Sequence, residues 1–230
     1  MTIEILPTCV PRDFSEIVSA IAVVREFAAG IHIDIDDGVL APHLTWPYSR
    51  SGEYADVELP PLEGLVAEIH IMADRPRAVG EEFARAGAHR IIGHIEGFED
   101  AEDARAALQA WKEAGAKDAG IGLLFETPPS TIAPLMDACD SIHVMAIASI
   151  GTQGIPYEAS SPQRIEEVHD MFPEKPISVD GGVSRDNIAQ LVRAGATRFG
   201  VGSAIMRSGN PKATYEELKA LAESAANSQG

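Results

Sequence analysis

The stretch Ala29-Gly30-Ile31-His32-Ile33-Asp34-Ile35-Asp36 decides the fold, because it joins the end of a helix to a strand. A glycine after alanine suits the left-handed backbone position that ends a helix, and the run that follows is typical of a buried strand. The same order of alanine, glycine and a following apolar run recurs at Gly87, Gly115 and Gly195. These glycines are spaced at multiples of about 28 residues, the length of one strand plus one helix. Eight such units would fill the chain.

Segments with apolar residues at helical spacing alternate with the predicted strands. They are residues 13–29, 75–86, 101–114, 161–171, 184–194 and 212–227. This alternation predicts a parallel sheet, and eight units close it into a (β/α)8 barrel. A doubly wound open sheet is the alternative, but the turn over residues 7–11 lacks the glycine-rich dinucleotide fingerprint. We therefore predict an α/β fold, with a single (β/α)8 TIM barrel domain over residues 1–230.

Residues 46–64 depart from the repeat, because they contain three prolines and two glycines. We predict an irregular loop here that replaces or shortens the second helix, with Val57-Glu58-Leu59 extended. Such a loop could serve as a substrate lid or an oligomer contact, and a tolerated insertion is the alternative.

The overall charge limits the partners of this protein. The formal net charge is -17 at pH 7, which argues against nucleic acid or an anionic membrane as a partner. Only two cysteines, Cys9 and Cys139, are present, and the first residues lack the pattern of a signal peptide. No apolar run reaches the roughly 20 residues of a membrane span. We therefore expect a cytoplasmic protein.

Four ligand-type side chains end predicted strands. Because side chains two apart share a face, His32 and Asp34 point together into the barrel and Asp36 continues their row. The count of units places His70 on strand three and Asp180 on strand seven, at the same mouth of the barrel. His32-x-Asp34 alone would fit a hydrogen-bonded histidine beside a surface aspartate. Together the four predict one divalent metal ion, with Zn as first choice and Mn, Fe or Co as alternatives.

The two carboxylates also predict a reaction type. Strands two and seven lie well apart around an eight-strand ring, so Asp34 and Asp180 would face a ligand over the barrel axis from different sides. One carboxylate could remove a proton next to a carbonyl while the other delivers one to the opposite face. The metal would stabilise the enediolate oxygen formed between these steps. Inversion at carbon follows from this arrangement.

Two glycine-rich turns predict a phosphate site without lysine. Asp180-Gly181-Gly182-Val183-Ser184 follows strand seven, and Gly200-Val201-Gly202-Ser203-Ala204 follows strand eight. Loops seven and eight of such barrels are the expected phosphate site, and tight packing is the alternative explanation for the glycines. None of the lysines falls at the C-terminal end of a predicted strand, which argues against Schiff-base chemistry.

A series of short segments in order along the chain matches a known family. They are Leu6-Pro7-Thr8, His32-Ile33-Asp34-Ile35-Asp36-Asp37-Gly38, Ile69-His70-Ile71-Met72, His94-Ile95-Glu96, Val144-Met145, Val179-Asp180-Gly181-Gly182-Val183, Ala194-Gly195-Ala196 and Gly202-Ser203-Ala204-Ile205. The chain resembles the ribulose-phosphate 3-epimerases. This resemblance implies a barrel of the ribulose-phosphate-binding type and a metal-dependent enzyme that interconverts ketopentose phosphates at carbon 3.

The resemblance also implies site residues. The family's metal ligands fall on His32, Asp34, His70 and Asp180, with Asp34 and Asp180 as the acid-base pair. Its substrate and phosphate positions fall on Thr8, Met72, Met145, Gly151, Gly181, Gly182, Val183, Gly202 and Ser203.

Departures from the family pattern bear on the substrate. Asp36 stands where the family has a methionine against the substrate, and Thr8 stands where it usually has serine. After strand six, Ala148-Ser149-Ile150-Gly151-Thr152-Gln153-Gly154 replaces the family's Asn-Pro-Gly-Phe-Gly-Gly-Gln loop and keeps Gly151 and Gln153. We therefore assign Asp36 and Gln153 to substrate specificity.

These observations predict an isomerase that inverts carbon 3 of a ketose phosphate, with D-ribulose 5-phosphate and D-xylulose 5-phosphate as first choice. The alternatives are an epimerase for another ketose phosphate, such as a hexulose 6-phosphate, and a noncatalytic sugar-phosphate-binding barrel. A related decarboxylase or aldehyde-lyase would need an Asp-x-Lys-x-x-Asp array on strand three, which has no lysine. We interpret His143 as a structural residue. For His94 a contact with the substrate and a role in the core remain alternatives. We also expect a homo-oligomer.

Overall fold

The computed structural model describes residues 2–151 and 155–228. Eight parallel strands pair in chain order to form a closed barrel. They are β1 Glu4–Cys9, β2 Gly30–Asp36, β3 Val66–Met72, β4 Arg90–His94, β5 Asp118–Leu123, β6 Ser141–Met145, β7 Ile177–Asp180 and β8 Arg198–Val201. The ring closes because β1 pairs with both β8 and β2. The predicted (β/α)8 barrel is confirmed.

Helices cover the outside of the barrel. They are α1 Phe14–Val24, α2 Arg77–Arg85, α3 Ala101–Ala114, α4 Ser161–Met171, α5 Ile188–Arg193, α6 Ser203–Met206 and α7 Pro211–Asn227, with 3-10 helices at Ile95–Gly97 and Pro129–Leu135. None of the described helices combines the length and apolar composition that a membrane crossing requires.

Two predicted helices are much shorter than the sequence pattern indicates. The helix predicted over residues 13–29 ends at Val24, because the backbone tightens into three-residue turns at Glu26 and Phe27 before β2 begins. The helix predicted over residues 184–194 begins only at Ile188. There the Asn187 side chain closes the preceding turn, since it accepts from the Ser184 N–H at 2.8 Å and donates to the Gly182 carbonyl at 3.0 Å.

The segment after β2 forms a short hairpin instead of a helix in the described chain. Tyr48–Arg50 pairs antiparallel with Glu53–Tyr54, and the Trp46-Pro47 peptide bond is cis. Asp37 anchors the start of this segment: one carboxylate oxygen accepts from the backbone of residues 39 and 40, and the other accepts from the Asp74 N–H after β3. The hairpin therefore begins at the same mouth as the ends of β2 and β3.

Alternation along β2 separates an apolar core from a polar barrel interior. Ile31, Ile33 and Ile35 are fully buried in the main apolar cluster between sheet and helices. The side chains between them, at His32, Asp34 and Asp36, point to the other face and are also buried. A sheet that is buried on both faces, with histidines and carboxylates on the inner one, positions the functional site.

An ion-pair network closes the N-terminal end of the barrel. The guanidinium of Arg198 contacts Glu4 at 3.1 Å, Glu68 at 3.0 Å and Asp118 at 3.0 Å. Arg90 makes a second contact with Glu4 at 2.6 Å. Glu68 is fully buried, so the network holds a charged carboxylate in the barrel interior next to the histidines above it.

Candidate active site

Asp34 links two imidazoles at the centre of the barrel. Its Oδ1 accepts hydrogen bonds from His32 Nε2 at 3.1 Å and from His70 Nδ1 at 2.9 Å. Burial opposes the charged form, but these two hydrogen bonds hold the pKa of Asp34 below its ordinary value. The predicted residues of β2 and β3 therefore lie in direct contact, with Asp34 ionised.

Both imidazoles have a second partner that fixes their orientation. His32 Nδ1 donates to Glu68 Oε1 at 2.8 Å, and His70 Nε2 lies 2.7 Å from His94 Nε2. Although burial opposes a charge on His32, the hydrogen bonds to Asp34 and Glu68 raise the pKa of His32 well above its ordinary value. Burial lowers the pKa of His70 to about 4. The ring nitrogens of His32 and His70 are thus directed by a shell of buried polar groups.

Asp180 lies at the end of β7, and its surroundings shift its pKa in the opposite direction to that of Asp34. Burial and the nearby charge of Asp34 raise the pKa of Asp180 above its ordinary value. The pKa values of the two carboxyls are therefore displaced in opposite directions, downward at Asp34 and upward at Asp180. Two acids whose surroundings displace their pKa values in opposite directions are suited to separate base and acid roles.

A group of four side chains in the barrel could hold a metal ion. His32, His70, His143 and Asp180 each offer one ligand atom, and these atoms lie within 4.8 Å of one another. Asp34 is not a member of this group, although its carboxylate touches two of the histidines. Three imidazoles and a carboxylate fit Zn, Fe or Co better than Mg or Ca.

His143 is the residue that the sequence interpretation missed. It lies on β6 with 1% of its surface exposed, and its Nδ1 lies 3.1 Å from Ser178 Oγ. Within residues 2–151 and 155–228 its Nε2 has no hydrogen-bond partner. Alternation along the strand could have identified it. Met145 faces the mouth pocket, and His143, two residues earlier, shares its face.

A pocket at the C-terminal mouth collects the predicted substrate residues. It is lined by side chains or backbone from β1, β2, β3, β6, β7 and β8 and the loops that follow them. The lining residues are Thr8, Val10, Asp34, Asp36, Met72, Met145, Ile147, Gly151, Ile155, Asp180, Gly181, Gly182, Val183, Gly202 and Ser203. His32 and His70 lie below this pocket, fully buried. Gln153, which the sequence assigns to specificity, lies outside the described residues.

Asp36 is a buried carboxyl group in the wall of this pocket. It is 0% exposed, and neither of its carboxyl oxygens has a hydrogen-bond partner among the described residues. Burial, followed by the charges of Asp34, Asp37 and Asp180, raises the pKa of Asp36 to about 8. Its backbone is fixed by Thr45, whose hydroxyl accepts from the Asp36 N–H at 2.7 Å and donates to the Asp34 carbonyl at 3.2 Å.

The turn after β7 needs its glycines. Gly181 and Gly182 have φ angles of 106° and 67°, which other residues rarely adopt. A Cβ at Gly182 would lie 2.9 Å from Cβ of Tyr157, and one at Gly181 would lie 2.8 Å from Cγ1 of Ile147. Because there is no room for a side chain at these two positions, the backbone of the turn itself lines the pocket beside Gly202 and Ser203. Fold and mouth together define a (β/α)8 barrel enzyme with a histidine and carboxylate centre next to a glycine-lined turn.

Comparisons with known proteins identify the family. The chain matches the model of the Ribulose-phosphate 3 epimerase family over residues 4–206. It is 29% identical over 223 residues to the ribulose-phosphate 3-epimerase of Bacillus subtilis, covering 94% of this chain and 98% of that protein. It is 31% identical over 208 residues to the ribulose-phosphate 3-epimerase of Aquifex aeolicus, covering 89% of each. The chain belongs to the ribulose-phosphate 3-epimerase family.

Solved structures share the fold. KGPDC from Streptococcus mutans superposes with a TM-score of 0.67 at 14% identity, over 98% of this chain and 99% of that one. At this identity the likeness concerns the fold alone. The resemblance drawn from the sequence is confirmed by the family match, and so is the predicted enzyme class, an isomerase of the epimerase type.

Proposed function

We propose that this protein is a metal-dependent epimerase that inverts carbon 3 of a ketose phosphate, with D-ribulose 5-phosphate and D-xylulose 5-phosphate as first choice. One observation carries the proposal: Asp34 and Asp180 line the same pocket from β2 and β7, with pKa values displaced in opposite directions. Membership of the family and the names of its relatives support the choice of substrate.

The two carboxyl groups carry out the proton transfers. The Asp34 carboxylate takes the proton from carbon 3, the electrons of that C–H bond form the enediolate, and the carbonyl oxygen at carbon 2 becomes negatively charged. Protonated Asp180 then gives its proton to carbon 3 from the opposite face, and the carbonyl forms again. Inversion follows because the bond breaks on one face and forms on the other. In the reverse direction Asp180 is the base and Asp34 the acid.

His32, His70 and Asp180 would hold the metal ion, together with Asp34. When bound, a divalent ion supplies positive charge that stabilises the enediolate oxygen. Glu68 directs the ring of His32, and His94 contacts the far nitrogen of His70, so both rings are oriented before any ligand enters.

The remaining pocket residues position the substrate. Backbone N–H groups of Gly182, Val183, Gly202 and Ser203 would receive the phosphate, since glycine turns allow close approach of an anion without a lysine. Thr8 contributes a buried hydroxyl that has no partner among the described residues, which suits a sugar hydroxyl. Gly181, Gly151, Met72 and Met145 form other parts of the wall.

Asp36 favours a second candidate substrate. A pentulose phosphate needs no additional carboxyl in this wall, whereas an additional hydroxyl on a longer sugar would satisfy the unpartnered oxygens of Asp36. This observation supports an epimerase for another ketose phosphate, such as a hexulose 6-phosphate, with the same proton transfers.

Substrate and chemistry are tested together in heavy water. Metal-loaded protein is incubated with a panel of ketose phosphates, and deuterium at carbon 3 is followed by NMR. We expect exchange and inversion with a pentulose 5-phosphate, both lost in Asp34→Asn and kept in Asp170→Asn, which alters an exposed carboxylate on α4. Exchange with a hexulose phosphate alone would overturn the pentulose assignment. A lack of exchange with every sugar would leave a noncatalytic sugar-phosphate-binding barrel.

A further inference from the structure

The candidate for a further ligand is His143, whose ring crosses the barrel interior from β6. Its ring centroid lies 4.4 Å from that of His70 and 5.6 Å from that of His32, and it stacks on His32 at an interplanar angle of 19°. His143 therefore belongs to the same cluster as the two histidines on β2 and β3, although it lies in the other half of the chain.

Of the two ring nitrogens of His143, one has a hydrogen-bond partner in the described part of the chain and the other has none. Nδ1 lies 3.1 Å from Ser178 Oγ, whereas Nε2 is buried and has no hydrogen-bond partner in the described part of the chain. A buried polar atom of this kind is unfavourable unless something else meets it. In the tautomer that leaves Nε2 as an acceptor, Nδ1–H donates to the Ser178 hydroxyl. This is the arrangement of metal-binding histidines, which donate their second ring N–H to an outer partner.

We propose that His143 Nε2 is an additional ligand of the metal centre, so that the ion is held by three imidazoles together with the carboxylates. The inference rests on the metal dependence proposed above. It is supported by the position of His143 within 4.8 Å of ligand atoms on His32, His70 and Asp180. A third nitrogen shifts the preference of the centre away from Mn and Mg and toward Zn, Co or Fe.

X-ray absorption at the zinc edge tests this proposal without reference to activity. The zinc-loaded wild-type protein should show three imidazole ligands, and His143→Gln should show two. Zinc affinity, measured by competition with a chelator, should fall at least about tenfold in His143→Gln. His169→Gln, which removes an imidazole from the outer helix α4, should change neither quantity.

The outcomes separate the two proposals. Zinc bound by two imidazoles in the wild type, with unchanged affinity in His143→Gln, would overturn the role of His143 and leave the epimerase proposal intact. A wild-type protein that binds no zinc, cobalt, iron or manganese would overturn metal dependence itself. Should His143→Gln fail to fold, the imidazole count of the wild type remains decisive, since it does not depend on any variant.

Discussion

Glu68 Oε1 accepts a hydrogen bond from His32 Nδ1 at 2.8 Å, while its Oε2 accepts from Arg198 at 3.0 Å. This fully buried carboxylate therefore connects the ion network at the N-terminal end of the barrel to the histidines at its centre. Glu68 touches neither the pocket nor the two reacting carboxyls, so it acts through His32 as a positioning residue. Its hydrogen bonds to His32 and Arg198 offset the cost of burying the Glu68 charge in the middle of the barrel.

Substitution of Glu68 should weaken metal binding. In Glu68→Gln a single side-chain oxygen remains for two donors, His32 and Arg198, so the hydrogen bond that orients the His32 ring is weakened. Loss of an outer partner lowers metal affinity by about 10–100-fold. Chelator competition measures this change, and Glu217→Gln on α7 is the control. An affinity equal to that of the wild type would show that Glu68 does not position His32.

Arg198 should be essential for stability. Its side chain is 9% exposed and pairs with three carboxylates, so Arg198→Met would remove the nearer guanidinium from buried Glu68 and leave Arg90 at 3.7 Å. Breaking one side of a buried charge network costs about 3–5 kcal/mol. Urea unfolding gives the free energy directly. The exposed pair of Arg185 with Glu217 provides the control, because Arg185→Met should cost at most about 1 kcal/mol. Equal losses in the two variants would contradict the argument.

The sequence predicts the barrel and most of the pocket for a physical reason. Period-two alternation and helix-ending glycines are local, and closure of eight units brings the strand ends together without further information. The hydrogen-bond partner of a buried polar atom, by contrast, comes from residues that are distant in the sequence. Alternation from Met145 gives the inner face of His143, but its contact with Ser178 depends on the register of β6 with β7. The missing partners of Asp36 likewise depend on the packing around it.

The stability contributed by Asp36 should depend on pH. Burial raises its pKa from the ordinary 3.8 to about 8, so between these values the unfolded chain is ionised while the folded chain keeps the proton. Unfolding free energy is therefore lost as the pH rises from about 4 to about 8. In the presence of a chelator, Asp36→Leu should gain stability over the wild type as the pH rises through this range. A difference that stays constant with pH would contradict the assignment.

Asp36 should also influence the choice of sugar. Asp36→Met removes the carboxyl and restores an apolar wall next to Met72 and Met145. We expect the ratio of kcat/KM for pentulose over hexulose phosphates to rise at least about tenfold, since loss of one hydrogen bond to a charged or polar partner costs about 1.5 kcal/mol. Equal ratios in wild type and variant would remove Asp36 from substrate recognition.

Gly182 should be needed for phosphate. In Gly182→Ala the new Cβ would lie 2.9 Å from Cβ of Tyr157 at a φ of 67°, so the turn must shift. We expect KM for the phosphorylated ketose to rise about tenfold or more, with weaker inhibition by inorganic phosphate. Gly64→Ala is the matched control, because Gly64 also has a positive φ and a Cβ there would meet no atom within 4 Å. Similar KM values in both variants would contradict a phosphate site at this turn.

The most direct test of two-base inversion is the fate of carbon 3 in Asp180→Asn incubated with each epimer in heavy water. Asp34 remains in this variant and can still remove a proton from one face. Deuterium should therefore enter one epimer without its conversion to the other. Interconversion of the two epimers at a rate near that of the wild type would show that Asp180 does not deliver the second proton, which contradicts two-base inversion.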